Sequence, residues 1–319
     1  MKNKTERKDF GIATFVGGEY ETLNNCHKYD VAYLGVPDEM GASYRLGTQY
    51  APRAVREHSM WKTFNGMECY DYDNRKYVDT NKLNVCDLGD LNVYLGDQEK
   101  TLKELEDVTK EISKTTFPVI VGGDHSITYG SFIGTKKGTN CKKMGLIHFD
   151  AHNDTEPDEE FYPRICHSNQ FTKLIKEGHL DGNNMVTIGL RGFVDRKWHD
   201  FAMEQGITIV TANEFNYKNS LEDMMNIFKD KFKDCDGVYV TFDMDSLEIG
   251  ASSGVGTPKY NGINLMKTLE LLRMLKDLNI VAFDLVELNP VLDVSGVTSF
   301  LAWEILFNFL ALGLNVKKD

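Results

Sequence analysis

Apolar residues along the 319-residue chain gather into short runs rich in β-branched and aromatic side chains. Eight such runs predict buried strands: YDVAYLGVP, KLNVCDLGD, FPVIVGG, MGLIHFD, MVTIGLRG, ITIVTANEF, GVYVTFD and NIVAFDLVE. Near-continuous apolar runs of this length suit a sheet covered on both faces. Amphipathic segments lie between many of them. In EKTLKELEDVTKEISK, Leu102, Leu105, Val108 and Ile112 recur at helical spacing, and in GINLMKTLELLRMLKDLN, Leu265, Leu269, Leu272 and Leu275 do the same. The alternation predicts an α/β fold with a mostly parallel sheet between helix layers and right-handed crossovers. No repeat, low-complexity tract or Pro/Gly/Ser linker divides the chain, so residues 1–319 are expected to form a single domain. The segment TSFLAWEILFNFLALGL is unusually apolar for a helix with one acidic residue. It is expected to be buried, in the core in preference to a subunit interface.

Composition narrows the classes of function. With 41% hydrophobic residues the chain can bury a large core. Net charge is −12, and the lysines and arginines are scattered rather than gathered into a stripe, so neither nucleic acid nor an anionic membrane is an expected partner. Six cysteines fall at wide, irregular spacings without a C-x-x-C pair, which points to a reducing compartment, the cytoplasm. The charged start MKNKTERKDF is followed by no apolar run, and no run approaches 18 apolar residues, so neither secretion nor membrane spanning is expected.

In an open parallel sheet, functional groups collect beyond the carboxyl ends of the strands. Four of the proposed strands run into unusual polar residues there: VIVGG into Asp124 and His125, LIHF into Asp150, His152 and Asp154, VYVTF into Asp243 and Asp245, and VAFDLV into Glu287. Nothing of the kind follows ITIV. If the chain stays extended past the strand, residues 150, 152 and 154 point the same way, and Asp243 and Asp245 repeat that spacing. With His125 they make four carboxylates and two imidazoles. Crowded carboxylates raise one another's pKa and destabilise a fold, so the set calls for bound cations. Oxygen and nitrogen donors without thiolate favour Mn²⁺ or a similar ion over structural zinc.

Each motif alone has a plainer reading: D-x-D as a turn or solvated loop, G-G-D-H-S as a tight turn with Asp124 or Ser126 capping the next helix. Their joint occurrence favours the metal site. His148 is expected to lie one face away from His152 as a hydrogen-bonded core histidine. His27, His58, His179 and His199 sit in polar or helical contexts and read as structural or solvated.

VGGDHS, HFDAHND, TFDMDS and DLVELNP, in this order, resemble the metal- and substrate-binding motifs of the ureohydrolase family of arginases and agmatinases. Upstream, GVPDEMGASYRLGTQYAPRAVREHS and TIGLRG resemble agmatinase-type segments. The resemblance implies a three-layer α/β/α fold, two Mn²⁺ per subunit, and hydrolysis of a guanidino substrate to urea and an amine by attack of a metal-bridging hydroxide. It implies that His125, Asp150, Asp154 and Asp243 hold one ion and Asp150, His152, Asp243 and Asp245 the other. Glu287 would pair with the guanidinium, and His167 would shuttle protons. A homotrimer or homohexamer is implied as well. The chemistry is coherent: a guanidinium carbon is a poor electrophile, two metals about 3.5 to 4 Å apart can activate one water, and a carboxylate can hold a planar guanidinium by paired hydrogen bonds.

Two departures from the family pattern stand out. Glu248 and Ile249 replace a D-P step, and Ser168 replaces the usual glycine after the shuttle histidine. Substrate choice is expected in residues 155–166, where Asp158, Glu159 and Glu160 would attract a second cation, as in agmatine, or Arg164 would pair with the carboxylate of a guanidino acid. Agmatine is the favoured substrate, with guanidinobutyrate, arginine, small guanidines and formiminoglutamate as alternatives. A two-metal phosphoesterase and a non-catalytic family member are rival classes. The first would need a basic phosphate clamp, and the second would lack competent ligand residues.

Overall fold

The structure, a computed structural model, describes residues 11–61, 68–79, 82–157 and 164–314. In chain order the strands are β1 (Glu19–Tyr20), β2 (Val31–Val36), β3 (Glu68–Asp71), β4 (Lys76–Asp79), β5 (Val85–Asp90), β6 (Phe117–Gly122), β7 (Met144–Phe149), β8 (Met185–Leu190), β9 (Thr208–Thr211), β10 (Gly237–Asp243) and β11 (Ile280–Val286). The helices are α1 (Ala51–Ser59), α2 (Gln98–Ile112), α3 (Ile127–Gly138), α4 (Gln170–Lys176), α5 (Arg196–Glu204), α6 (Ala212–Tyr217), α7 (Leu221–Lys231), α8 (Leu265–Met274) and α9 (Val297–Asn308).

Nine strands form one sheet in the order β1-β5-β2-β6-β11-β10-β7-β8-β9. Every neighbouring pair in it is parallel. All residues of β2, β7 and β10 are buried, because helices cover both faces. The eight expected strands form, and β11, β10 and β7 take the centre, which brings their carboxyl ends side by side. The strands missed by the pattern are short or exposed. β1 has two exposed residues, and β3 and β4 form a separate antiparallel hairpin whose Tyr70, Tyr72 and Tyr77 stay in solvent. No buried face generates an alternation there.

Close packing of α3 against α2 holds the start of α3 in place. A β-carbon at Gly130, Gly134 or Gly138 would lie within 2.6 Å of Leu102 O, Glu106 O or Lys110 O, so a stripe of glycines at every fourth residue lets the helices meet backbone to backbone. The apolar C-terminal segment is core, as expected: Leu301, Ala302, Trp303, Ile305 and Leu306 of α9 are all buried, and Trp303 meets Phe15 edge-on. Arg56 on α1 secures the β5 end by pairing with Asp87 at 2.8 Å and Asp90 at 2.6 Å while lying over the Tyr33 ring. Among the described residues no helix is long and apolar enough to cross a membrane.

Candidate metal centre and substrate pocket

The four strand ends singled out above converge at the carboxyl edge of β6, β7, β10 and β11. The chain does not stay extended to achieve this, so the condition under which residues 150, 152 and 154 would share one direction is not met. It bends at Ala151 and His152, takes a left-handed turn at Asp154 (φ 52°), and winds a short 3-10 turn over Met244–Ser246. These turns are locked by the carboxylates themselves. Asp150 Oδ1 accepts the His152 N–H at 2.6 Å, and Asp243 Oδ1 accepts the Asp245 N–H at 2.6 Å. After β6, Gly123 passes so near Asp38 that a β-carbon would stand 1.6 Å from the Asp38 carbonyl oxygen, so only glycine carries the chain round to Asp124 and His125.

His125 is fully buried. Its Nδ1 lies 3.0 Å from Asp154 Oδ2, 3.2 Å from Asp150 Oδ2 and 3.3 Å from Asp243 Oδ2. None of these approaches is aligned as a hydrogen bond, and Nδ1 is left without a hydrogen-bond partner. Its Nε2 meets Thr241 Oγ1 at 2.8 Å, so with Nε2–H as donor the Nδ1 lone pair is free. A buried nitrogen with three carboxylate oxygens within 3.3 Å, none of them hydrogen-bonded to it, offers the kind of donors a divalent cation takes. The donor set fits such an ion. A second group, Asp150, His152 and Asp245, adjoins the first, with His152 Nδ1 3.1 Å from Asp245 Oδ2 and 3.4 Å from Asp150 Oδ1. Asp150 belongs to both.

Without cations the charges are badly matched. Burial and the neighbouring Asp245 and Asp150 hold the Asp243 carboxyl well above the usual carboxylate range. Burial works against the charged form of His152, yet Asp245 and Asp150 push its pKa up to about 11. Burial likewise opposes charge on His125, and the three surrounding carboxylates still hold its pKa well above the ordinary value.

His148 is the core histidine expected, with Nδ1 at 3.2 Å from Thr187 Oγ1, but it does not lie a face away from the site. Residues 148 and 150 share strand parity, and His148 Nε2 is 2.8 Å from Asp150 Oδ2. It belongs geometrically to the group of His125, Asp150 and Asp154. Asp124 serves as the turn carboxylate, accepting from the Ser126 and Gly41 N–H groups, each at 2.8 Å.

A pocket of about 330 Å³ opens onto this cluster; Glu287, His167, Ser43, Thr257, Glu156 and Trp198 help to line it. Glu287 takes a left-handed φ of 61°, which turns its side chain back over the start of α3. Its Oε1 accepts from the His125 N–H at 2.9 Å and faces His167 Nδ1 at 3.1 Å. Burial would raise the Glu287 carboxyl, but His167 wins and lowers it. In turn, burial would lower His167, and Glu287 raises it to about 9. His167 Nε2 meets Ser43 Oγ at 2.7 Å.

Several of these partners escape a reading of the sequence. Ser43, Thr241 and Gln170, whose Nε2 donates to Asp154 Oδ2 at 2.6 Å, carry no local signature. Arg191 hid within TIGLRG: its guanidinium donates to the carbonyls of Gly189, Asp245, Ser246, Leu247, Lys259 and Tyr260, clamping the loop that presents Asp245. The acidic residues Asp158, Glu159 and Glu160 lie outside the described residues. Arg164 lines a different cavity, beside Tyr129 and Glu177, and not the pocket at the metal cluster. Glu248 and Ile249 also face a separate cavity, with Arg191 and Tyr260, so that departure stands apart from the substrate pocket. Ser168 has a definite role: its Oγ donates to Glu156 Oε2 at 2.5 Å.

The parallel sheet gathers imidazoles and carboxylates at its carboxyl edge, the arrangement of an α/β protein with a metal site. Residues 29–311 match the profile of the arginase family. The chain is 35% identical to the mitochondrial agmatinase of Gallus gallus over 296 residues, 90% of this chain and 82% of that one. It is 32% identical to the guanidinobutyrase of Pseudomonas aeruginosa, over 89% of this chain and 86% of that one. The solved proclavaminate amidino hydrolase from Streptomyces clavuligerus superimposes with a TM-score of 0.83 at 30% identity, covering 97% of this chain and 99% of that one. The chain belongs to the arginase family. It is a ureohydrolase, a hydrolase of guanidino C–N bonds from a family that depends on a binuclear metal centre.

Proposed function

We propose that the protein hydrolyses agmatine to urea and a diamine with two Mn²⁺ ions. His125, Asp150, Asp154 and Asp243 would hold one ion and Asp150, His152, Asp243 and Asp245 the other. The observation that carries this reading is the buried His125 Nδ1, free of hydrogen bonds and ringed by three carboxylate oxygens at 3.0 to 3.3 Å. When bound, the two ions supply a water acidic enough to lose its proton at neutral pH.

The chain's own residues do the rest. Glu287 is ionised beside His167, and with Oε1 tied to the His125 N–H its other oxygen is left to bind the planar guanidinium and fix its carbon. His167 carries a proton at neutral pH, held between Glu287 and Ser43, and delivers it to the departing amine. Among the described residues no lysine or arginine lines the pocket to clamp a phosphate, which disfavours a phosphoesterase. Agmatine places this reaction in polyamine metabolism. All six cysteines are free thiols, which supports a cytoplasmic protein, and a homotrimer or homohexamer is proposed from the family resemblance. Urea release from a panel of guanidino compounds by the Mn²⁺-loaded protein tests the reading. No urea from any of them, with metal shown to be bound, would overturn it.

A further inference from the structure

We infer that Glu156, held in place by Ser168, selects substrates with a second positive charge, so that this pocket takes guanidino amines and turns away guanidino acids. The inference rests on the ureohydrolase reading and concerns the substrate's tail. Four carboxylates line the pocket: Asp154, Glu156, Asp243 and Glu287. Asp154 and Asp243 belong to the metal cluster, and Glu287 is engaged by His167 and the guanidinium. Glu156 is the carboxylate that the chemistry leaves unused.

Its position is built rather than incidental. The Ser168 hydroxyl donates to Glu156 Oε2 at 2.5 Å, and the Glu156 N–H donates to Ser168 O at 2.8 Å. This two-point link ties Glu156 to the segment that carries His167. A glycine at 168 could keep the second bond and not the first, so the serine that departs from the family pattern is what fixes the carboxylate. Among the described residues none donates to Oε1, so that oxygen is available to a ligand. Trp198 lines the same pocket, and the Thr155 hydroxyl donates to its main-chain carbonyl at 3.1 Å.

A protonated amine reaching Glu156 gains a charge-assisted hydrogen bond, whereas a carboxylate tail meets like charge with no lysine or arginine among the described lining residues to answer it. Relatives at 35% and 32% identity are named for an amine and an acid substrate respectively, so similarity alone does not choose between tails.

The test compares agmatine with butylguanidine, which has the same chain and no tail charge, and with 4-guanidinobutyrate. Where urea is released, the ratio of kcat/KM values is the readout. Where none is released, calorimetric binding to the Mn²⁺-loaded protein gives the same ratio. The wild type is expected to prefer agmatine over butylguanidine by about tenfold or more, mainly through KM, and to disfavour the acid further. Glu156→Gln keeps the size and the Ser168 bond, and is expected to erase the preference. Glu156→Lys is expected to favour the acid, and Ser168→Gly to weaken the preference a few-fold. Equal handling of agmatine and butylguanidine, or an unchanged ratio in Glu156→Gln, overturns the selector and leaves the hydrolase reading intact. Preferential agmatine binding without urea does the reverse.

Discussion

His167 Nδ1 and Glu287 Oε1 stand 3.1 Å apart although 120 residues separate them in the chain. The pair joins the proposed proton carrier to the carboxylate proposed to hold the guanidinium, so in that reading substrate orientation and proton delivery share one contact. Glu287 raises His167 to about 9, against an ordinary value of about 6.5, so the imidazolium persists through neutral pH and is lost as pH rises past that point. The expected kcat/KM profile therefore holds up to pH near 9 and falls beyond it. Glu287→Gln should move that alkaline limb toward the ordinary histidine range, as well as weakening turnover. A limb that stays in place would separate His167 from the proton transfer.

His167→Asn keeps a polar side chain but removes the titrating nitrogen. Turnover is expected to fall by about 10²- to 10⁴-fold, with two metal ions per chain retained by elemental analysis. Loss of metal together with activity would mean that His167 serves the metal cluster instead.

Asp150 stands in both donor groups. Asp150→Asn is expected to abolish binding at both metal positions, read as ions per chain after dialysis. Retention of two ions would contradict the shared role.

Thr241 acts at one remove, through the 2.8 Å contact with His125 Nε2. Thr241→Val preserves shape and deletes the acceptor, so affinity for one of the two ions should drop by about 10- to 100-fold. Titration with Mn²⁺ would then resolve one weakened and one normal event; two unaltered events would show that the hydroxyl does not orient the ring.

Metal uptake should release protons. Asp245 and Asp150 push His152 up to about 11 and the Asp243 carboxyl is raised, whereas ligands must give up their protons to bind. Apparent Mn²⁺ affinity should therefore rise with pH above neutrality. Calorimetry in buffers of different ionisation enthalpy measures the protons released, and a buffer-independent heat would refute the prediction.

The strands and most of the candidate ligands were legible in the chain because both follow local rules. Buried parallel strands are continuous apolar runs, and polar residues just past them are conspicuous, as HFDAHND and TFDMDS are. What could not be read was how the chain turns after each strand. The spacing of the ligands was read for an extended path, but Asp154 is left-handed, Met244–Ser246 forms a turn, and Asp150 and Asp243 each accept the N–H two residues on. His148 shows the same limit, since its contact with Asp150 depends on which sheet face the site occupies.

By itself the sequence determined the α/β alternation, the strand ends that carry titratable groups, and a cluster of carboxylates and imidazoles acidic enough to call for cations. The tertiary structure alone decided which distant residues serve that set: Thr241 behind His125, Ser43 behind His167, and Ser168 behind Glu156. The reason is physical. Hydrophobic periodicity is a property of neighbours along the chain, whereas a hydrogen bond between residues 43 and 167 exists only after folding has brought their loops together.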